Sequence, residues 1–167
     1  MRQTLLATSA LALAAGGAAA QEMSFNRIAS FATALNNGDL SGETSSSEII
    51  TVTEDGNTLI YSDSPLGAIG RIDITDPANP QPLGIIGLDG EPTAVSALGG
   101  TVFVGINTSE SYTDPSGHLA HYVVETGELA ADCDLGGQPD STAVAPDGSF
   151  VTVAIENERD EDLGDGR

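Results

Sequence analysis

The chain has 167 residues, room for about one domain, and its 40% hydrophobic content comes mostly from Val, Ile, Leu and Ala, with only 4% aromatics. Twenty-five acidic residues stand against five Arg and no Lys, a net charge of −20. Coulomb repulsion on that scale argues against nucleic acid and anionic membrane surfaces as partners; a cation suits the surface, and so does the plainer role of keeping an exported protein soluble in a salty medium.

The first segment is Arg2, an apolar run from Leu5 to Ala15, and Ala18-Ala19-Ala20 before Gln21. A charged start, a short apolar core and a small-residue site predict a secretory signal over residues 1–20. The mature chain then begins at Gln21, in the periplasm or outside the cell, with no membrane span. Cys133 is the single cysteine, so no intramolecular disulfide forms. Its neighbour Leu135 and a strand-like context predict a buried structural thiol.

Residues Ser24 to Phe31 place Phe25, Ile28 and Phe31 in an imperfect alternation that reads as one strand, and Asn36 to Ser47 reads as a polar loop. A β-hairpin follows from Glu48 to Tyr61, with Asp55-Gly56 as a two-residue type I′ turn, which needs positive φ at both central positions. Further strands are predicted over Gly70 to Ile74 and Leu83 to Leu88, separated by a segment rich in proline up to Pro82. A second unit of four strands runs over Thr93 to Ala97, Thr101 to Ile106, Leu119 to Val124 and Glu128 to Leu135. A third supplies Thr142 to Ala145 and Ser149 to Ile155 before the acidic segment Glu156 to Asp162.

The turns at Asp55-Gly56, Gly99-Gly100 and Asp147-Gly148 are 44 and 48 residues apart. That is the period of one propeller blade, four short antiparallel strands. The expected fold is therefore an all-β β-propeller of four-stranded antiparallel blades, of the WD or YVTN kind, with about two and a half blades over residues 21–167. A blade buries its faces only against neighbours. The expectation is an N-terminal part of a longer protein, with a small β-sheet protein that assembles with copies of itself as the alternative.

Four short segments, Ser47-Glu48-Ile49-Ile50, Ile72 to Pro77, Gly90 to Val95, and Gly137 to Gly148 followed by Ala154 to Glu158, resemble the secreted bacterial β-propellers of the choice-of-anchor I group. The resemblance implies the propeller fold and a group whose members are often described as phytase-like or alkaline-phosphatase-like. The stretch after Ile155 departs from the group's Asn-Glu-Gly-Glu pattern, reading Glu-Asn-Glu-Arg-Asp. No P-loop, dinucleotide fingerprint or Gly-x-Ser-x-Gly elbow is present. His118 and His121, three apart in a strand, point to opposite faces and are expected at the surface without a metal role.

In a propeller the loops leading into each innermost strand and those leaving each second strand share one face. Here they hold Glu48, Asp63, Asp89, Glu91, Asn107, Glu110, Asp140, Glu156 and Glu158, with Asp63, Asn107 and Glu156 at equivalent strand ends. Oxygen ligands in that number suit a hard cation such as calcium, with Glu48, Glu91, Asp140 and Glu156 as candidate metal ligands. Acidic loops that are simply solvated are the other reading. Two function classes stay open: an exported binding or structural module, which uses calcium and meets an extracellular ligand or further blades, and part of a phytase-like phosphoesterase. The second needs basic residues to grip phosphate, and on this face the chain offers Arg159 alone.

Overall fold

The computed structural model describes residues 25–157; the expected signal segment 1–20, Glu158 and Arg159 lie outside them. Ten strands follow in order: β1 Ile50–Val52, β2 Thr58–Asp63, β3 Ala68–Asp73, β4 Gln81–Gly87, β5 Glu91–Leu98, β6 Thr101–Asn107, β7 Gly117–Val123, β8 Leu129–Asp134, β9 Pro139–Val144 and β10 Val151–Ile155. They form antiparallel sheets β1-β2-β3-β4 and β5-β6-β7-β8 and a two-stranded sheet β9-β10, each joined in sequence order. This is the expected stack of propeller-type blades, two complete and one of two strands.

The core lies between the first two sheets. Ile60 and Ile69 of the first meet Val95, Val102, Val104, Ile106, Ala120 and Tyr122 of the second, all buried. Alternation explains the set, since Val102, Val104 and Ile106 are every second residue of β6 and share one face. Each such side chain contributes about 1.5–3 kcal/mol on full burial, so this seam dominates the cohesion between blades. Arg71 crosses it. Its Nη1 donates to the carbonyls of Val124 and Glu125 in the second blade, and its Nη2 donates to the carbonyl of Leu83 in its own. Burial holds the guanidinium below its ordinary pKa.

Two expectations about the backbone are corrected. The stretch from residue 25 to Phe31 is irregular, not a strand, and is followed by two short 3₁₀ helices, Thr33–Leu35 and Gly38–Leu40. Phe25 and Ile28 are largely exposed, because a three-residue spacing fits neither the two-residue strand period nor any sheet edge that would receive it. The Asp55-Gly56 turn is not type I′, since no residue other than glycine has positive φ among those described. Thr53 N–H donates to the Thr58 carbonyl, closing a four-residue loop in which Gly56 alone is left-handed, at φ 73. Asp55 keeps an ordinary φ while its Oδ1 accepts from Thr53 Oγ1 at 2.7 Å and Asn57 N–H at 3.0 Å. The third unit repeats this loop: Ala145 N–H bonds the Phe150 carbonyl, Gly148 is left-handed at φ 69, and Asp147 Oδ1 accepts from Ser149.

The N-terminal segment covers the face of the first sheet that points away from the second. β4 carries a bulge opposite Arg71, where the register shifts between Gly70 and Ile72 and Gly84 adopts φ 84. The side chain of Asn36 fills that break. Its Nδ2 donates to the Arg71 carbonyl at 2.8 Å, its Oδ1 accepts from Gly84 N–H at 2.8 Å, and Nδ2 also reaches Tyr61 Oη at 3.1 Å. Backbone groups that the bulge releases from the ladder are thereby satisfied.

Candidate functional site

Three kinds of connection meet on one face of the stack: the lead-ins to β1, β5 and β9, the loops that leave β2 and β6, and the end of β10. As expected, Asp63 ends β2, Asn107 ends β6 and Glu156 directly follows β10. The three end groups are used differently. Asp63 is fully buried, with Oδ2 accepting from Ser45 Oγ at 2.5 Å and Oδ1 accepting from the N–H groups of Ser46 and Leu66. Such a carboxylate anchors the N-terminal segment and the β2–β3 loop, and its lone pairs are spent on protein donors. Asn107 folds back on Ser109 N–H at 3.0 Å. Glu156 is exposed, and its N–H bonds the Gln138 carbonyl.

The four residues singled out as ligands sit at two places on this face, two near the β1/β5 lead-ins and two on the last hairpin. Glu48 precedes β1 and Glu91 opens β5. Ser64 links Glu48 to the start of β5: its hydroxyl lies 2.6 Å from Glu48 Oε2, to which it donates, and 3.0 Å from the carbonyl of Pro92, the residue after Glu91. Asp140 and Glu156 belong to the two strands of the last hairpin, where Pro139 pairs with Ile155. All four side chains are exposed. Among the described residues, no three His, Cys, Asp or Glu side chains converge into a metal-holding group.

Elsewhere on this face the longer β6–β7 loop encloses a cavity of about 250 Å³ between Asn107, Glu110, Tyr112 and Gln138. His118 lies near the same loops, with Nε2 3.3 Å from Asp89 Oδ1 and its side chain only 16% exposed. His121 points to the other face of β7, as expected, but it too is half-buried and stacks on Phe103 with ring centroids 4.6 Å apart. Both histidines were expected at the surface; cross-strand packing against Phe103 and the Asp89 contact draw them in. Burial first, and then the carboxylates of Asp89 and Asp132, hold the Tyr122 phenol above its ordinary pKa. Cys133 is exposed, not buried. It sits on β8, whose six residues are all exposed because the outermost strand of a blade has no layer beyond it.

The sequence pointed to the loop face and passed over a larger cavity at the opposite, hairpin-turn face. About 850 Å³ opens there between the two complete blades, lined by Thr53, Asp55, Arg71, Leu83, Gly100 and Glu125. The signal that could have found it is Arg71, the single arginine within the ten strands.

The fold and the family agree. The profile of the choice-of-anchor I domain matches residues 48–166, well over half of the chain. The chain belongs to the choice-of-anchor I family. No curated protein matches it in sequence. Among solved structures it is similar to hydrazine synthase of Kuenenia stuttgartiensis, with a TM-score of 0.52 and 19% identity over 65% of this chain and 29% of that one. It is likewise similar to a functionally unknown protein from Desulfotomaculum acetoxidans, with a TM-score of 0.50 and 17% identity over 65% of this chain and 36% of that one. At such identities the likeness is one of fold, and the chain spans about a third of the length of these structures. Choice-of-anchor domains are associated with surface or secreted proteins and suit a repeat or anchoring module. Among the described residues no helix is long and apolar enough to cross a membrane, which leaves strand-built membrane proteins aside.

Proposed function

We propose that this choice-of-anchor I chain is an exported binding or structural module, cleaved after Ala20, whose loop face takes a divalent cation, calcium being the best match. What supports the reading is Ser64, whose hydroxyl donates to Glu48 Oε2 and lies 3.0 Å from the Pro92 carbonyl, so that Glu48 is tied to the start of the adjacent-blade strand that Glu91 opens. Carboxylates gathered by folding repel one another, so a cation that binds only the folded form stabilises it. Two carboxylates at each place, with nearby carbonyls and water, supply part of the six to eight oxygens calcium takes, which points to weak binding. Asp140 and Glu156 lie at one end of the last hairpin and would supply further oxygens there.

The phosphoesterase reading gains nothing from the site. Arg71 is occupied by three backbone carbonyls on the other side of the stack, and gripping a phosphate would release them. Calorimetric titration with calcium decides the cation reading, using magnesium as the control for charge screening and a Glu48→Gln, Glu156→Gln double variant. Heat beyond the magnesium control, lost in the variant, is the expected result. Equal heats for both ions, or unchanged affinity in the variant, would leave the acidic loops as a solvated surface.

A further inference from the structure

The two complete blades differ at one connection. Between β2 and β3 the chain uses four residues, 64–67, whereas between β6 and β7 it uses nine, 108–116. The shorter connection suffices to build a blade, so the stacking does not require the longer one, and an insertion in a single repeat is a common place for a binding loop. The longer loop is braced at its neck: Thr108 N–H and Ser109 Oγ both donate to the Ser116 carbonyl, and Ser116 N–H donates back to Ser109 Oγ at 2.9 Å. Further out, Ser111 pairs with Asp114. At its foot Gly117 packs so closely on the next unit that a Cβ would collide with Pro139 Cδ and the Gly137 carbonyl. The loop is thereby seated on the lead-in to β9, beside Gln138.

The cavity of about 250 Å³ between loop and lead-in is bordered by polar groups that the fold leaves free. Asn107 Oδ1 accepts from Ser109 N–H, and the Gln138 backbone is held by Asn157 Oδ1 and Glu156 N–H. The Asn107 amide hydrogens, the Glu110 carboxylate, the Tyr112 hydroxyl and the Gln138 carboxamide have no hydrogen-bond partner among the described residues. Of the three tyrosines, Tyr61 and Tyr122 are buried, while Tyr112 is 54% exposed on this loop.

That set of groups selects a ligand class. No basic side chain lines the cavity among the described residues, and a net charge of −20 repels anions, which argues against phosphates and carboxylates. An apolar ligand would desolvate Asn107, Glu110 and Gln138 without compensation. A sugar ring meets both demands, because it offers a C–H face to an aromatic ring and hydroxyls that donate to a carboxylate and exchange hydrogen bonds with carboxamides. We propose that the cavity under the 108–116 loop binds one ring of a neutral saccharide chain, stacked on Tyr112 and hydrogen-bonded to Asn107, Glu110 and Gln138. Its volume lies below the roughly 300–1,000 Å³ of pockets that enclose a whole ligand, so the rest of the saccharide stays in solvent and binding is in the millimolar range. This names a ligand class for the binding-module reading and rests on that reading, but on neither calcium nor the Glu48 lead-in.

Saturation-transfer NMR on the purified chain, with a chelator present, tests it against hexasaccharides of β-1,4-linked glucose, α-1,4-linked glucose and β-1,4-linked N-acetylglucosamine, with polygalacturonate as the anionic control. Transfer to at least one neutral hexasaccharide and none to polygalacturonate is the expected result. Affinity for that saccharide should fall about tenfold or more in Tyr112→Ala and in Gln138→Ala, and should be kept within a few-fold in Tyr112→Phe, which retains the ring. No transfer to any neutral saccharide, equal transfer to polygalacturonate, or unchanged affinity in Tyr112→Ala would each overturn the inference. The calcium titration is read separately, so saccharide failure with calcium heat intact would remove this site and leave the cation reading standing.

Discussion

The Oδ1 atom of Asn36 accepts the backbone N–H of Gly84, 48 residues along the chain, at 2.8 Å. That bond and its companions to the Arg71 carbonyl and Tyr61 make one buried carboxamide the joint between an irregular segment and the outer strands of the first blade. Its neighbour Asn37 is just as buried, yet neither atom of its carboxamide has a hydrogen-bond partner among the described residues.

The two asparagines therefore respond oppositely to substitution. Asn36→Leu strands a buried carbonyl and a buried N–H, and should cost about 2–4 kcal/mol in urea denaturation. Asn37→Leu removes a group already desolvated without compensation, and should be neutral or stabilising. Equal losses at both positions would mean that the segment is held by its backbone, not by the Asn36 side chain.

Glycines in the same region separate close approach from backbone conformation. A Cβ at Gly70 would sit 2.0 Å from the Tyr61 ring, which lies across β3, whereas a Cβ at Gly84 would meet nothing within 4 Å. Gly84→Ala carries only the left-handed penalty, about 1–2 kcal/mol. Gly70→Ala must displace a fully buried tyrosine and break its contact with Asn36, so it should exceed Gly84→Ala, at about 3 kcal/mol or more. Thermal melts of the two variants give the order, and a reversed order would refute the close-packing account.

Strands were legible because their signal is local. Alternation in β6 and the Gly and Pro punctuation around β2, β4 and β10 located the strands to within about two residues, except that β9 begins at Pro139, three residues before the expected Thr142. Long-range relationships left no such trace. Leu35-Asn36-Asn37-Gly38 reads as a polar loop, and nothing local distinguishes Asn36, whose partners lie 25, 35 and 48 residues away, from the partnerless Asn37. The error at Cys133 has a similar origin, since alternation in β8 is visible but the absence of a covering layer is a property of blade order. At the loop face, topology placed Glu48 and Glu91 on adjacent blades; that Ser64 ties Glu48 to the Pro92 carbonyl depends on the β2–β3 loop conformation.

The two limbs of the pH profile have separate sources. Asp55, Asp73 and Asp147 each accept hydrogen bonds at a turn, and those bonds hold their carboxyls below the ordinary value of 3.8: from Thr53 and then Asn57, from the N–H and hydroxyl of Thr75, and from the hydroxyl and N–H of Ser149. A depressed folded pKa favours the ionised folded form, so this stabilisation is complete above the unfolded value near 3.8 and disappears as pH falls through the folded values. Tyr61 works in the opposite sense. Burial raises its phenol above 10.0, despite the lowering effect of the Asn36 donor, so its contribution is intact below pH 10 and is lost as the unfolded phenol ionises above it. An Asp55→Asn, Asp73→Asn, Asp147→Asn variant should be less stable than the parent at pH 7, with the gap closing below pH 4. Tyr61→Phe should flatten the alkaline limb alone. Carboxyl titrations by NMR with midpoints at or above 3.8, or an alkaline limb unchanged in Tyr61→Phe, would show that these turns and this phenol do not set the profile.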